Sequence, residues 1–442
     1  MINDNISAIA TAPGTGGVAI IRISGSSPLT VLEKMFIPVG KTPVKSFAPN
    51  YMYPGKIVAE GFEDFGMCVY FKAPKSFTGE DVVEIHCHGG VQIARGILKK
   101  TFALGARSAE RGEFTKRAFL NGKLSLSSAE GMIDMINAES LAEIRAGSQL
   151  YQEKLTNSVK EIQSELTDIL AGIAADIDYP EEGIEETELF DTKQKLQNIF
   201  ASLSALKNAY SCGKKIKQGV LVAICGKPNT GKSSLLNALL GYDKAIVSSV
   251  AGTTRDAVEG VIEIDGVKFN LSDTAGIREK AGEIESVGIE IAKKILYSAD
   301  LVLFVTEGEN GKEEQEILSS IQDRPLIKVF NKSDKLKPHG EYDIAISAKT
   351  GEGVQELKKL LAQKSLGQLS LDKAFVIEER HYFALCRATQ SIQNAINGVG
   401  IYPLDLVSLD IKNSWEALGE ITGETANEEI ISTVFAKFCV GK

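Results

Sequence analysis

The octapeptide Gly226-Lys227-Pro228-Asn229-Thr230-Gly231-Lys232-Ser233 follows an apolar run and opens an amphipathic one, which sets it between a strand and a helix. Glycines at those two places let backbone amides close around phosphates, Lys232 reaches the terminal ones, and the Ser233 hydroxyl is a ligand for Mg²⁺. Asn229, Thr230, Gly231, Lys232, Ser233 and Ser234 are therefore candidate nucleotide contacts, with Lys232 also counted among the catalytic candidates. A pattern this short arises by accident in some chains, so the rest of the sequence has to support it.

Three further segments do so, in the right order and each just past a β-rich run. Asp273-Thr274-Ala275-Gly276 follows Phe269-Asn270-Leu271, Asn331-Lys332-Ser333-Asp334 follows Ile327-Lys328-Val329-Phe330, and Ser347-Ala348-Lys349 follows Ile344-Ala345-Ile346. Loops at the carboxyl ends of strands are where open α/β sheets bind ligands. Asp273 would hold Mg²⁺ through water, and the Gly276 amide would contact a terminal phosphate. The Asn-Lys-Ser-Asp set resembles the guanine-reading motif of GTPases, whose aspartate accepts from the ring N–H and the exocyclic amine. Adenine lacks that donor pair, so GTP is expected over ATP. The competing reading is four coincidental turns.

Length and composition set the frame. A chain of 442 residues with 43% hydrophobic side chains holds two to four domains and several cores. The net charge of −9 and a pI near 5.3 argue against a strongly basic nucleic-acid binder, while leaving room for a local basic patch. Met1-Ile2-Asn3-Asp4-Asn5 has no cationic region before a long apolar core, and no uncharged run is of spanning length, so a cytoplasmic protein without membrane attachment is expected. The six cysteines, Cys68, Cys87, Cys212, Cys225, Cys386 and Cys439, lack paired spacing and read as reduced thiols. His86-Cys87-His88 has a metal-like look, but a strand would aim both histidines one way with no third ligand nearby, which favours strand-end packing.

Along the chain the periodicity changes twice. Runs such as Val18-Ala19-Ile20-Ile21-Arg22-Ile23 and Met67-Cys68-Val69-Tyr70-Phe71, with turns and one amphipathic helix near Val91 to Phe102, predict an α+β domain. From about Ser127 to Cys212 helical periodicity takes over, as in Leu150 to Ile177 and Thr192 to Tyr210, with only Pro180 interrupting; it returns from about Ala374 to Cys439, where Trp415, Leu418 and Ile421 share a face. Helical stretches on both sides of a nucleotide domain predict an insertion, with the two helical halves packed together. Glu181-Glu182 and Glu185-Glu186 read as solvated surface.

Three more segments carry a resemblance: Gly16-Gly17-Val18-Ala19-Ile20-Ile21-Arg22-Ile23-Ser24-Gly25, Phe77-Thr78-Gly79-Glu80-Asp81-Val82-Val83-Glu84, and residues Gly112 to Leu124. With the GTPase motifs and the closing Phe438-Cys439-Val440-Gly441-Lys442, the chain closely resembles the MnmE (TrmE) family of tRNA-modifying GTPases. The resemblance implies a multidomain α/β architecture: residues 1–122 an α+β folate-binding and dimerisation domain, 123–214 and 372–442 the two parts of an all-α domain, and 215–371 an inserted Ras-like phosphate-loop GTPase domain. It implies a homodimer through the N-terminal domains that joins the flavoprotein MnmG (GidA) in a heterotetramer. Together they add an aminomethyl or carboxymethylaminomethyl group to carbon five of the wobble uridine of certain tRNAs. The added carbon comes from 5-formyltetrahydrofolate or a related reduced folate.

Carried over by motif, Arg22, Glu84, Lys123 and Lys442 would be the folate contacts. A carboxylate suits the pterin's paired N–H donors, and the cations suit a glutamate tail or formyl oxygen. A strand-end ion pair is the bland alternative for Arg22, and a solvated helix-start lysine for Lys123. Cys439 is a candidate catalyst: near the end, beside Lys437 and Lys442, it is placed to react, although a packing cysteine would look the same.

Ile277 stands where Ras-like proteins carry the water-orienting glutamine, and it cannot hydrogen-bond to anything. The resemblance points instead to Glu285 as the catalytic residue. No arginine finger is apparent, and the family places K⁺ in that role when two G domains meet: Asn229, Ser248, Val250 and Thr253 would be its ligands. The loop Ser248-Ser249-Val250-Ala251-Gly252-Thr253-Thr254 would contact GTP, with Thr254 a second Mg²⁺ ligand beside Ser233. The bland alternatives are a surface glutamate, a turn cap and a turn asparagine. The runner-up function is a ribosome-assembly or regulatory GTPase without modification activity.

Overall fold

The computed structural model describes residues 4–178, 186–241, 260–273, 294–308, 311–319, 321, 324–366 and 376–442. These fall into two compact units, one of Met1–Ile133, Leu150–Leu189 and Asn397–Lys442, the other of Asp134–Gln149 and Phe190–Ile396.

The first unit is built on a seven-stranded sheet: β1 (Asn5–Ile9), β2 (Val18–Gly25), β3 (Phe36–Pro38), β4 (Met52–Ala59), β5 (Phe62–Phe71), β6 (Asp81–His88) and β7 (Arg107–Ser108). Their order is β3-β4-β5-β6-β2-β1-β7, antiparallel except where β1 meets β7. Period-two alternation gives the sheet two different faces. Ala19, Ile21, Ile23, Ile85 and Cys87 turn to one side and form a core with Ala94 and Ile97 of the helix Val91–Ala103. Arg22 and Ser24, on the alternate positions of β2, turn to the other side, where Arg22 is in register with Glu84 and with Ala8.

Helices of the same unit bring the two helical stretches of the sequence together. Lys154–Asp178 packs along Leu404–Thr422, and Gln163 Nε2 donates to Trp415 O at 3.1 Å. The latter helix is bounded as its sequence dictates: Pro403 precedes it, and Gly423, at φ +99, closes it by donating its N–H to Gly419 O. The last helix, Glu428–Ala436, is capped by Asn427 Oδ1, which accepts from Ile430 N at 2.9 Å. Its Val434 and Phe435, with Phe438, are buried against Leu126, Ala129 and Ile133.

The second unit carries a six-stranded sheet: β8 (Val220–Cys225), β9 (Gly260–Ile264), β10 (Val267–Asp273), β11 (Leu301–Thr306), β12 (Leu326–Phe330) and β13 (Ile344–Ala345), in the order β13-β12-β11-β8-β10-β9. All but the edge strand β9 are parallel. Every residue of β11 is buried and β8 is nearly so, which is why both read as continuous apolar runs rather than alternating ones. The carboxyl ends of β8, β10, β11, β12 and β13 therefore open along one edge of the sheet. The helical stretches meet here too: the Tyr210 and Tyr382 rings stack with centroids 4.4 Å apart. Among the described residues no helix is long and apolar enough to cross a membrane.

Candidate nucleotide site and the N-terminal ion-pair face

The loop after β8 turns on three positions of positive φ, a region that favours glycine or an amide side chain. Gly226, Asn229 and Gly231 have φ of +147, +64 and +87. A Cβ on Gly226 would collide with the carbonyl of Val305, and one on Gly231 with the Asn331 amide nitrogen. The loop turns directly into the helix Lys232–Gly241, so its amides lie at a helix N-terminus, where anions are favoured. Lys232 is buried, and its ammonium donates to Lys227 O at 2.6 Å; Thr230 Oγ1 donates to the same carbonyl at 2.9 Å. Ser233 Oγ donates to Asp273 Oδ2 at 2.9 Å, which joins the helix start to the end of β10. A hydroxyl and a carboxylate this close form a donor set that suits a hard divalent cation.

The loop after β12 is tied to the loop after β8 by two side chains. Asn331, 2% exposed, donates from Nδ2 to Thr230 O at 2.8 Å and accepts from Ala348 N at Oδ1, 3.1 Å. Lys332, at φ +65, donates to Asn229 O at 2.8 Å and pairs with Glu307 at 2.5 Å. Asp334 accepts from Ser347 Oγ at 2.7 Å, and that bond holds its carboxyl below the usual carboxylate range. Ser333 donates its N–H to Ile346 O. Asn331, Lys332, Ser333, Asp334, Ser347, Ala348 and Lys349 thus belong to one loop pair. Within it Asn331 acts as a strut between loops, which its place in the motif does not reveal. Ser234 follows Ser233 in the helix and is exposed. Ser248, Ser249, Val250, Ala251, Gly252, Thr253, Thr254, Thr274, Ala275, Gly276, Ile277 and Glu285 lie outside the described residues.

On the sheet of the other unit, Arg22 Nε and Nη2 both reach Glu84 Oε1 at 2.8 Å, and His86 Nε2 lies 3.4 Å from Glu84 Oε2. The guanidinium also faces the rings of Phe77 and Phe114, 5.6 and 5.7 Å from their centroids. Burial raises the Glu84 carboxyl, but His86 and Arg22 outweigh it and hold the group below its ordinary range. The ion pair is therefore present, in mid-strand rather than at a strand end, since Arg22 lies within Val18–Gly25 and Glu84 within Asp81–His88. An ionised carboxylate also suits a ligand with paired N–H donors. Lys123 Nζ donates to Pro74 O at 2.9 Å, away from that pair in the hydrogen-bond network, and Lys442 is half-buried. His88 pairs with Asp64 at 2.5 Å while His86 leans to Glu84, so the two histidines have different partners.

One cluster is absent from the sequence reading. Arg117, 2% exposed, donates to Asp4 (2.6 Å), Glu113 (3.0 Å) and Glu80 (3.1 Å); Arg107 donates to Asp4 (2.6 Å) and Glu113 (2.5 and 2.8 Å). Ser24 Oγ adds a bond to Glu80 at 2.7 Å. Two guanidiniums and three carboxylates thus join the segments 77–84 and 112–124, which gives Glu80, Glu113 and Arg117 a structural role there. Such a network is costly to break, because each partner removed leaves a buried charge. The signal available in the sequence was three arginines and two glutamates within one short run, Arg107 to Arg117.

A largely parallel sheet with a glycine-rich loop that leads from one strand directly into a helix defines a nucleotide-binding domain of the phosphate-loop class. The family described as the MnmE helical domain matches residues 126–439, and that described as the GTP-binding protein TrmE N-terminus matches residues 5–123. Proteins named tRNA modification GTPase MnmE from Clostridioides difficile and Acetivibrio thermocellus are each 38% identical to this chain, over 100% and 99% of both sequences. The chain belongs to the MnmE family. Among solved structures, the G domain of the T. maritima FeoB iron transporter is 29% identical, with TM-score 0.26, covering 33% of this chain and 98% of that one.

Proposed function

We propose that this chain is a GTPase that takes part in tRNA modification, acting on carbon five of the wobble uridine with a flavoprotein partner of the MnmG kind. The observation that carries the reading is the convergence of Lys232, Ser233 and Asp273 at the carboxyl edge of the sheet, in a chain that relatives of that name match from end to end.

In this reading Lys232 exchanges its bond to Lys227 O for the terminal phosphates, and Asp334 reads guanine. Ser233 and Thr254 would hold Mg²⁺, with Asp273 acting through water; Asn229, Ser248, Val250 and Thr253 would hold K⁺ between paired G domains. Bound there, the two cations would neutralise charge on the phosphate oxygens, the task of an arginine finger elsewhere. Glu285 would orient the attacking water where Ile277 cannot. Arg22, Glu84, Lys123 and Lys442 would bind a reduced folate of the 5-formyltetrahydrofolate kind, and Cys439 would act in the modification itself. Homodimerisation through the N-terminal domains, GTP-dependent G-domain contact and a place in the cytoplasm complete the proposal.

The test is mass spectrometry of wobble uridines in cells whose own copy is replaced by the Lys232→Ala variant. The proposal expects the modified nucleoside to disappear with protein abundance unchanged. Wild-type modification in that strain would remove GTP from the account.

A further inference from the structure

The segment from Phe438 to Lys442 is fastened to the N-terminal domain at several points. Phe438 is fully buried beside Leu126, Ala129 and Phe435. Arg111 Nε donates to Phe438 O at 3.2 Å, Gly112 N donates to Cys439 O at 3.3 Å, and Arg111 forms an antiparallel bridge with Val440. Gly441 has φ +101, and a Cβ there would collide with the carbonyl of Ile9 and lie 3.4 Å from Ala10 Cα. Gly112 is matched to it: at φ +67, its Cβ would sit 2.5 Å from Phe435 O. Two glycines on opposite sides of the joint thus allow backbone to meet backbone, with Cys439 exposed between the buried Phe438 and the seated Gly441. Ile9 is next to Ala8, the register partner of Arg22, so the segment is seated at the end of the strand that borders the Arg22–Glu84 pair.

We infer that Gly441 and Gly112, with the Arg111 side chain, are positioning residues that hold the Cys439 thiol in place on the N-terminal domain. The inference rests on the proposed part of Cys439 in the modification reaction. Gly441→Ala should unseat the segment without touching the nucleotide site. Gly105→Ala is the control, because Gly105 also has φ +101 but nothing within 4 Å of a Cβ, so it carries backbone strain without the collision. Arg111→Ala, which removes the donor to Phe438 O and adds no clash, is a second variant should Gly441→Ala fold poorly.

Three readouts are taken on the full chain: hydrogen exchange at the Gly112 amide, GTP turnover, and wobble-uridine modification. For Gly441→Ala, exchange at Gly112 rises and modification falls by at least about tenfold, while GTP turnover stays within about twofold. Arg111→Ala shows the same pattern more weakly, and Gly105→Ala shows neither change. Unchanged exchange and modification in Gly441→Ala, or an equal loss in Gly105→Ala, would overturn the inference. Cys439→Ser separates it from the reading beneath it. Full modification by that variant removes the thiol's role, whereas loss there with Gly441→Ala at wild-type level removes the positioning alone.

Discussion

The Asn331 side chain donates to the carbonyl of Thr230 at 2.8 Å, across 101 residues of sequence, and accepts from Ala348 on its other side. One buried amide therefore spaces the loop after β8, the loop after β12 and the Ser347-Ala348-Lys349 loop. Replacing it with alanine leaves a buried carbonyl and a buried N–H without their partner, each worth about 1–3 kcal/mol. Asn331→Ala is expected to weaken GDP and GTP binding by about two orders of magnitude. Stopped-flow dissociation of a fluorescent GDP checks this, and an unchanged off-rate would deny the strut.

Asp334 is held ionised by Ser347, and a carboxylate offers two acceptors to the two donors of guanine. Asp334→Asn replaces one acceptor with a donor, which matches xanthine better than guanine. GTP affinity should fall by about a hundredfold or more while xanthosine triphosphate gains. Calorimetric titration with both nucleotides reads the exchange, and retained GTP preference would contradict the base-reading role.

Glu113 contributes to how the first unit answers acid, together with Asp4, Asp64 and Glu84, whose carboxyls are also held below their ordinary range. Burial raises its carboxyl, but hydrogen bonds from Arg107, the Glu110 amide and Arg117 outweigh this and leave it below its ordinary 4.5. A depressed carboxyl contributes stability that is complete above the unfolded value and is lost as pH falls through the folded one. Denaturant midpoints should therefore hold from pH 7 to about 5 and decline below about 4.5. Glu113→Gln should cost about 3 kcal/mol at pH 7 and flatten the acid limb. The sole tryptophan, Trp415, lies in this unit and reports its unfolding by fluorescence. A Glu113→Gln protein of wild-type stability at pH 7 would count against the network.

Thiol labelling separates Cys439 from the core cysteines. Burial pushes Cys68 and Cys225 up to about 12 and Cys87 to about 11, whereas Cys439 is exposed. At pH 8 those three are at or below about 0.1% thiolate, so alkylation should reach Cys439 ahead of them by a wide margin. Peptide mass spectrometry over time gives the order, and comparable labelling of Cys225 would mean that the nucleotide domain opens.

The phosphate loop is legible because its chemistry is local: glycine spacing, an apolar strand before it and a helix after it all lie within one short stretch. The same holds for the helix at Val91–Ala103, read from the sequence to within a residue. What escapes is nonlocal. That Gly231 is bare so that Asn331 can approach depends on two loops meeting, and the five-charge network draws on residues 4, 80, 107, 113 and 117. The two-residue strand β7 has no periodicity to detect. The helix expected over Thr192 to Tyr210 extends over Glu186–Gln218, because its flanking polar turns pass for loop in a sequence. Arg22 shows the opposite limit: its residue type allows an ion pair and a ligand contact alike, and only geometry reveals that the pair with Glu84 is made.

We propose that residues 226–233 form a GTP-hydrolysing site in which a monovalent cation does the work of an arginine finger. The most direct test is GTP turnover by the purified protein in potassium and sodium buffers of equal ionic strength, with Asn229→Ala and ATP as comparisons. Turnover of GTP and not ATP is expected, stimulated severalfold or more by potassium and no longer so in Asn229→Ala. Equal rates in both salts would contradict the cation's role, and equal turnover of ATP would contradict the base reading as well.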